Sequence, residues 1–269
     1  MIGVTGASGF IGHAVMKRLG VRGVALDLRS LDVTGLSTMM DDLDAVIHLA
    51  GPLPRSAPDQ AVEEATVHLA QQVVEAAEAH PHLALVLAST IRVHAPQEAP
   101  IDVHVQPLPF DGYGRGKARA EGCFAAVGGT DRHLSIVRLS SVQGKDQTGQ
   151  ARGLVGTFAR QAASGCLKVM GDGLAVKDVV HIDVVAAELV RLAESKDKGM
   201  HLHLLGGVRC TVLEVARAIA ERTGASIEHD APAEDELSAC FSTAVRDPDA
   251  LASMVDDALS TVSCNMNEF

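Results

Sequence analysis

Tyr113 and Lys117 stand four residues apart in the segment YGRGK, and on a helix that interval puts both side chains on one face. A phenol with an ordinary pKa of about 10 is a poor base at neutral pH, but a nearby ammonium stabilises the phenolate and lowers that value. Thr90 closes the apolar run LALVLAST, so its hydroxyl stands at a strand end, where ligands of open α/β sheets sit. There it could hold a substrate oxygen in line with the phenol. Tyr113 is also the only tyrosine in the chain. The bland reading of a lone YxxxK is a surface pair on an ordinary helix. The reactive reading therefore needs a frame that joins strand end and helix.

That frame starts at the N-terminus. Ile2 to Leu19 reads IGVTGASGFIGHAVMKRL: a short strand, glycines at Gly6, Gly9 and Gly12, then apolar residues at helical spacing (Ile11, Val15, Leu19). Such a turn lets backbone N–H groups approach a pyrophosphate, and the helix N-terminus favours the phosphate charge. Val24–Leu28 reads as a second strand, and Asp27 near its end sits where a ribose-binding carboxylate belongs. That acid would repel a 2′-phosphate, which favours NAD. Arg29, two residues on, could offset the repulsion, so NADP stays open.

Further along, Asp44–Gly51 and Leu83–Ser89 read as buried strands and Asp59–His80 as a long helix. Gly112 opens the helix that carries Tyr113 and Lys117, and Leu134–Leu139 is another strand. This alternation predicts a parallel sheet with helices on both sides. Gly144–Gly153 is expected to be a polar loop, a candidate for substrate contact. Leu154–Ser164, Ile182–Ala193 and Val212–Thr223 read as helices, and Leu167–Met170, Val179–His181 and His201–Leu205 as strands. A strand and one or two helices are expected in Ser226–Phe269.

Composition narrows the partners. The 269 residues are 47% apolar, enough for a full core, and carry a net charge of −11. That charge argues against a nucleic-acid backbone or an anionic membrane as partner, and with no Trp and six Phe there is little for bases to stack on. The five cysteines are scattered and never in a CxxC pair, which suits a reducing cytoplasm and gives neither disulfide framework nor zinc site. No secretory signal is expected, since the chain enters a strand at once, and no apolar run is long enough to cross a bilayer. His201 and His203 alternate on a strand without a third ligand at suitable spacing, so no metal site is expected.

Over most of its length the chain resembles the extended short-chain dehydrogenase/reductases, the NAD-dependent epimerase/dehydratase group. VTGASGFIG matches the cofactor glycine motif, which assigns Gly6, Ser8, Gly9, Phe10, Ile11 and Gly12 to the dinucleotide. Asp27 matches the ribose-binding acid, Asp32 and Val33 the adenine-side pair, and Leu49, Ala50 and Gly51 of HLAG the strand end beside the cofactor. STIRVHA places the catalytic hydroxyl at Thr90, and YGRGK supplies Tyr113 and Lys117. RLSSVQG, GDGLAVKDVVHID and GMHLHLLGG follow later landmarks of the group. The resemblance implies a Rossmann-type doubly wound parallel sheet with a small C-terminal substrate-binding lobe. Residues 1–143 plus 178–205 would form the dinucleotide-binding domain, and 144–177 plus 206–269 the lobe. It also implies a homodimer through the Asp59–His80 and Tyr113–Val127 helices. Tyr113 would exchange a proton with a substrate hydroxyl during hydride transfer, Lys117 would bind the nicotinamide ribose, and Thr90 would orient the substrate oxygen.

The departures matter as much. Sugar-nucleotide 4,6-dehydratases carry Asp-Glu after the catalytic Thr, and here those positions are Ile91 and Arg92, which argues against dehydration. The usual Asn of the R-x-x-N-x-x-G segment is Ser141, and the usual diphosphate-gripping Arg is Lys177, a point charge without Arg's fork. Arg92, Ser141 and Lys177 are the candidate substrate contacts. Arg92 and Arg115 flank the reacting centre, where one could meet an anionic substrate group; a solvated arginine is the other reading. Three functions follow: an NAD-dependent epimerase of a sugar or sugar nucleotide, an NAD(P)-dependent dehydrogenase or reductase of a smaller hydroxy or carbonyl compound, and a dinucleotide-binding protein without turnover. The intact Thr90, Tyr113 and Lys117 argue against the third.

Overall fold

The computed structural model describes residues 1–54, 56–128, 131–231 and 238–266. In chain order the first elements are β1 (Ile2–Thr5), α1 (Phe10–Leu19), β2 (Gly23–Leu26), α2 (Val33–Met40), β3 (Ala45–His48), α3 (Asp59–Ala77), β4 (Ala84–Thr90), α4 (Gly112–Gly128) and β5 (His133–Leu139). There follow β6 (Ser141–Lys145), β7 (Ala151–Arg152), α5 (Gly153–Ala162), β8 (Cys166–Met170), β9 (Val176–His181), α6 (Ile182–Ala193), β10 (Gly199–Leu205), β11 (Val208–Thr211), α7 (Val212–Thr223), β12 (Ser226–Asp230) and α8 (Pro248–Met266).

Two compact units result. The first comprises Met1–Ala95, Val103–Leu139 and Val185–Leu204. Its sheet has six strands in the order β10-β5-β4-β3-β1-β2, and the pairs from β2 through β5 are parallel. All residues of β1, β3, β4 and β5 are buried, which is why β1, β3 and β4 read as apolar runs closed by polar residues, whereas β5 also buries His133, Ser135 and Arg138. Leu36 and Met40 of α2, Val73 and Ala77 of α3 and Phe124 of α4 share one core with Leu85, Leu87 and Leu134 of the sheet. The chain leaves β1 for β2 on one side and then returns to place β3 on the other. The loops after β1 and β3 therefore diverge, and this switch point is where an open α/β sheet holds its ligand.

The second unit comprises Pro96–Asp102, Ser140–Val184 and Leu205–Phe269. It holds a four-stranded sheet, β11-β9-β6-β7, and a parallel pair, β12-β8. Its core gathers Phe158 of α5, Val179 of β9, Val215 and Ile219 of α7, and Val255 of α8. Thr211 closes β11 and starts α7 with a reciprocal capping box to Glu214.

One expectation is corrected here. Gly144–Gly153 is not a plain loop: β6 and β7 pair antiparallel across it. Asp146 organises the turn, its carboxylate accepting from Thr148 N at 2.9 Å, Thr148 Oγ1 at 2.6 Å, Gln150 N at 3.1 Å and Arg152 Nε at 2.6 Å. Those donors hold its carboxyl well below the usual range. The short strand β11 carries no expectation from the pattern, being four residues run directly into a helix. Within Ser226–Phe269 the described residues form β12 and α8; residues 232–237 and 267–269 lie outside them.

Candidate active site

At the switch point the glycine turn takes the form its sequence requires. Gly6 sits at φ +67°, and a Cβ there would come within 2.8 Å of Ala50 N. A Cβ on Gly12 would come within 2.0 Å of Gly6 O, so this glycine lets α1 pack onto the turn. Gly9 is the N-cap residue and has no side chain to cap the first turn of α1, where Phe10, Ile11 and Gly12 follow. Ser8 and Gly9 are exposed. A cradle of main chain at a helix N-terminus fits a dinucleotide pyrophosphate.

The opposite wall is the end of β3. The Thr5 hydroxyl is fully buried and accepts from Leu49 N and Ala50 N, both at 3.2 Å. With its acceptor positions used, it donates to His48 Nδ1 at 2.8 Å, which leaves the imidazole neutral with its proton on Nε2. Burial, and then the Lys117 charge, push the His48 pKa down to about 3. Gly51, just beyond, is where a Cβ would stand 3.9 Å from Lys117 Nζ.

Asp27 follows the end of β2. Arg29 Nε donates to its Oδ1 at 2.9 Å and Arg29 Nη2 to its Oδ2 at 3.2 Å. The guanidinium thus lies on the carboxylate and keeps it ionised. Asp32 caps α2, accepting from Gly35 N at 2.8 Å, and Val33 is the first residue of that helix.

Thr90 ends β4 with its hydroxyl accepting from Arg92 N at 3.3 Å. The following Ile91–Val93 turn meets α4 through Gly114, where a Cβ would come within 2.2 Å of Arg92 O. Gly112 and Gly116 make the same allowance against α3: a Cβ would meet Asp59 O at 2.1 Å and Thr66 Cβ at 2.9 Å respectively. The alternate glycines of GYGRGK are therefore what lets α4 carry Tyr113 and Lys117 up to the sheet, a signal present in the sequence and overlooked there. Lys117 is buried, and its Nζ donates to Ala88 O at 2.9 Å. Burial pushes its pKa down to about 8 against the pull of Glu121 one turn later.

Tyr113 corrects the first expectation. Tyr113 as a residue is half-buried, and burial of its phenol pushes the pKa up to about 12. The cation drawing it down is Arg92, with Asp111 opposing. Arg92 is not a solvated arginine. Its Nε donates to Asp111 Oδ2 at 2.9 Å, its Nη2 bonds the same oxygen, and the guanidinium lies 5.1 Å from the Phe110 ring centroid. Arg115 is likewise engaged, donating to Glu63 Oε2 at 2.8 Å and Asp59 Oδ2 at 3.5 Å across α3. Behind Lys117 lies a buried pair the motifs did not announce. Arg138 donates to Glu121 at 3.0 and 2.7 Å, Ser89 Oγ donates to the same carboxylate at 2.5 Å, and Arg138 Nη1 bonds His94 Nε2 at 3.1 Å.

Ser141 and Lys177 belong to the second unit. Ser141 opens β6, and its hydroxyl accepts from Gln143 Nε2 at 2.9 Å. Lys177 is half-buried in β9, opposite Cys210 of β11. No cluster of three metal-ligating side chains occurs among the described residues, and no helix among them is long and apolar enough to cross a membrane.

Residues 2–204 match the model of the NAD dependent epimerase/dehydratase family. Among curated proteins the chain is similar to dTDP-L-rhamnose 4-epimerase of Burkholderia thailandensis, 33% identical over 125 residues. That stretch is 45% of this chain and 34% of the relative, so the match spans about a third of the relative's length. Among solved structures it is similar to MoeE5 in complex with UDP-glucose and NAD, with a TM-score of 0.79, 22% identity, and 97% of this chain and 99% of that one covered. UDP-glucose 4-epimerase from Brucella ovis in complex with NAD gives a TM-score of 0.80 at 21% identity, covering 97% of each chain. At these identities the structural likeness shows the fold.

Proposed function

The chain belongs to the NAD dependent epimerase/dehydratase family, and from that premise we propose that it is an NAD-dependent epimerase of a sugar or sugar nucleotide, with Tyr113 as acid/base. As a member of that family it is an NAD-dependent enzyme of the extended short-chain dehydrogenase/reductase type. The observation that carries the finer reading is the junction of β4 and α4. Thr90 ends the strand, Gly114 brings the helix onto the turn that follows, and Lys117 reaches Ala88 O from the same helix.

The residues that would hold NAD are Gly6, Ser8, Gly9, Phe10, Ile11 and Gly12 at the pyrophosphate, Asp27 at the ribose, Asp32 and Val33 at the adenine side, and Leu49, Ala50 and Gly51 beside Lys117. When bound, the cofactor supplies a hydride acceptor that returns the hydride to the same carbon, with a keto compound in between. Thr90 holds the substrate oxygen. Tyr113, once deprotonated, takes the proton from the substrate hydroxyl as the carbon loses hydride, and gives it back when the carbonyl is reduced from the other face. Lys117 would bind the nicotinamide ribose, and an ammonium held there would favour the phenolate form of Tyr113. Ile91 and Arg92 offer no acid–base pair for eliminating water, so the reaction stops at epimerisation.

The named relatives that bind or act on nucleotide-linked sugars support such a substrate. A second reading, an NAD(P)-dependent dehydrogenase or reductase of a smaller hydroxy or carbonyl compound, draws on the second unit. There Gln143 already donates to Ser141, and Lys177 replaces a forked arginine. The reading carries with it a cytoplasmic setting, consistent with the free Cys123, Cys166, Cys210 and Cys240, and a homodimer formed through α3 and α4.

The test is to denature freshly purified protein, identify the nucleotide released, and incubate intact protein with sugar nucleotides. Near-stoichiometric NAD with interconversion of two epimers and no net change in cofactor is the expected result. Loosely bound cofactor consumed in proportion to product would replace this reading with the dehydrogenase.

A further inference from the structure

We propose that His133, Ser135 and His203 form an acid-sensitive latch that holds the edge strand β10 on the sheet, closed only while His133 is uncharged. The inference is independent of the reaction proposed above and concerns the far edge of the first unit. There β10 is the last strand, beside β5, and is separated from β1 by β5, β4 and β3. Leu202 of β10 packs into the core that holds Leu134 and Ile136 of β5. Side chains alternate along a strand, so His201 and His203 fall on the opposite face together with His133 and Ser135. On that face the His133 and His201 rings stack with centroids 5.5 Å apart, and His201 lies 6.3 Å from His203. Ser135 is fully buried, and its Oγ stands 3.0 Å from His133 Nε2 and 3.2 Å from His203 Nε2. One hydroxyl thus joins the two strands through their side chains.

The hydrogen bonds fix where the protons stand. His133 Nδ1 lies 2.6 Å from Asp197 O, and a carbonyl only accepts, so Nδ1 carries a proton. In the uncharged ring Nε2 is then an acceptor, and Ser135 Oγ donates to it. The same oxygen has lone pairs left to accept from His203 Nε2–H. One chain of donors therefore runs from His203 through Ser135 to His133 and on to Asp197 O. A proton added to His133 must go to Nε2, which turns that acceptor into a donor. Ser135 then has no acceptor for its own hydrogen at a site closed to water, and an imidazolium stands against the His201 ring. A proton added to His203 goes to Nδ1 and leaves the chain intact, so the switch lies in His133.

The charged groups around the cluster are engaged elsewhere. Glu188 of α6 accepts from Arg191 Nε at 2.7 Å and Arg191 Nη2 at 2.6 Å. Glu194, just past α6, pairs with Arg22. The Asp197 carboxylate accepts from Ser195 Oγ at 3.0 Å, and the Lys198 ammonium lies 3.8 Å from Asp131. His201 Nε2 donates to Lys198 O at 3.1 Å. Burial holds His203 below the ordinary imidazole range against the pull of Glu188. The fold thus favours uncharged rings, and the stability this brings is present at neutral pH and lost as pH falls.

The experiment is hydrogen–deuterium exchange of the full chain at about pH 7.5 and about pH 5, corrected for the intrinsic pH dependence of amide exchange. Peptides from β10 are compared with peptides from β4, a central strand buried along its whole length. In the unaltered protein, exchange in β10 should rise about tenfold relative to β4 on acidification. His133→Gln places an uncharged amide beside Ser135, and exchange in its β10 should be the same at both pH values. His203→Gln still offers Ser135 a donor and should respond as the unaltered protein does. Protection of β10 that ignores pH, or a response undiminished in His133→Gln, would overturn the latch. So would a loss shared equally by β4, which reports unfolding of the whole unit. Should a variant fail to fold, the imidazole nitrogen resonances of the unaltered protein decide. The latch requires Nδ1–H on His133 and Nε2–H on His203 at neutral pH, with His133 titrating over the range in which β10 loses protection; the opposite tautomer on His133 would overturn it.

Discussion

The Thr5 hydroxyl donates to His48 Nδ1 across 2.8 Å and accepts from the two main-chain N–H groups that follow His48 in the chain. One buried oxygen thereby fixes both walls of the switch point, the end of β1 and the end of β3, and the tautomer of the imidazole between them. Thr5→Val keeps the shape and takes the hydroxyl partner from Ala50 N and His48 Nδ1, while Leu49 N keeps the Thr5 carbonyl at 3.3 Å. The expected cost is about 1–3 kcal/mol in chemical denaturation, with a loss of NAD affinity. Unchanged stability would mean the oxygen is dispensable.

His48 also sets a pH dependence. In the folded chain it is neutral down to about pH 3, whereas in the unfolded chain it takes up a proton below its ordinary value of 6.5. Between those values the unfolded state binds one more proton, so stability rises with pH there. The contribution is fully present above 6.5 and is lost progressively on acidification, at about 1.4 kcal/mol per pH unit. Burial lowers His94 and His203 in the same direction, so the informative quantity is a difference. The unfolding free energy of His48→Gln should fall less steeply between pH 6 and 4 than that of the unaltered protein, a window of about two units. Parallel slopes would contradict this.

Lys117 exchanges stability for reactivity. Its ammonium is buried and its pKa stands at about 8 against an ordinary 10.5, so at pH 7 the folded state carries a charge it disfavours. Lys117→Met removes that penalty and gives up one hydrogen bond to Ala88 O, worth about 1 kcal/mol. The variant should be inactive yet unfold at a higher temperature than the unaltered protein. A lower melting temperature would show that the ammonium stabilises the fold.

Tyr113→Phe should lose about 10²–10⁴-fold in kcat, the range for a positioned acid/base, with cofactor binding unaltered within twofold. Retained turnover would remove Tyr113 from the chemistry.

Gly114→Ala places a methyl within 2.2 Å of Arg92 O, and main chain must move to admit it. A displacement of about 1 Å at a reacting centre can cost on the order of 10²-fold in rate, so a folded Gly114→Ala protein is expected to bind NAD and turn over about a hundredfold more slowly. Full activity would mean that α4 does not depend on this close approach.

Where side-chain pattern alone decides the outcome, the sequence was easy to read. The buried parallel strands announce themselves as apolar runs, the helix bounds of α6 and α7 match the periodicity, and the glycine turn after β1 has the spacing its close contacts demand. Pairings between distant residues were not legible. Nothing local marks Asp111 as the partner of Arg92, or Arg138 as the partner of Glu121 seventeen residues earlier in the chain. The phenol's environment was misjudged for the same reason. A Lys four residues along a helix shares a face with Tyr113, but burial pushes the phenol's pKa up, with Arg92 opposing and Asp111 adding to the push. The β6–β7 hairpin is harder to read because its strands are short and polar: Asp146 and Gly149, at φ +80°, form the turn, yet no apolar alternation flanks it.

The alternate glycines of α4 have a consequence for the order in which the protein becomes active. Gly112, Gly114 and Gly116 occupy the first turn and a half of a helix that must hold Tyr113 and Lys117, and each costs about 1 kcal/mol of helix propensity relative to alanine. An isolated peptide of this segment would not stay helical. Its shape is imposed by α3 and by the turn after β4, both of which must already be in place. The reactive side chains are therefore assembled last, as a product of the completed sheet, and loss of activity on heating should coincide with, or run ahead of, loss of the fold.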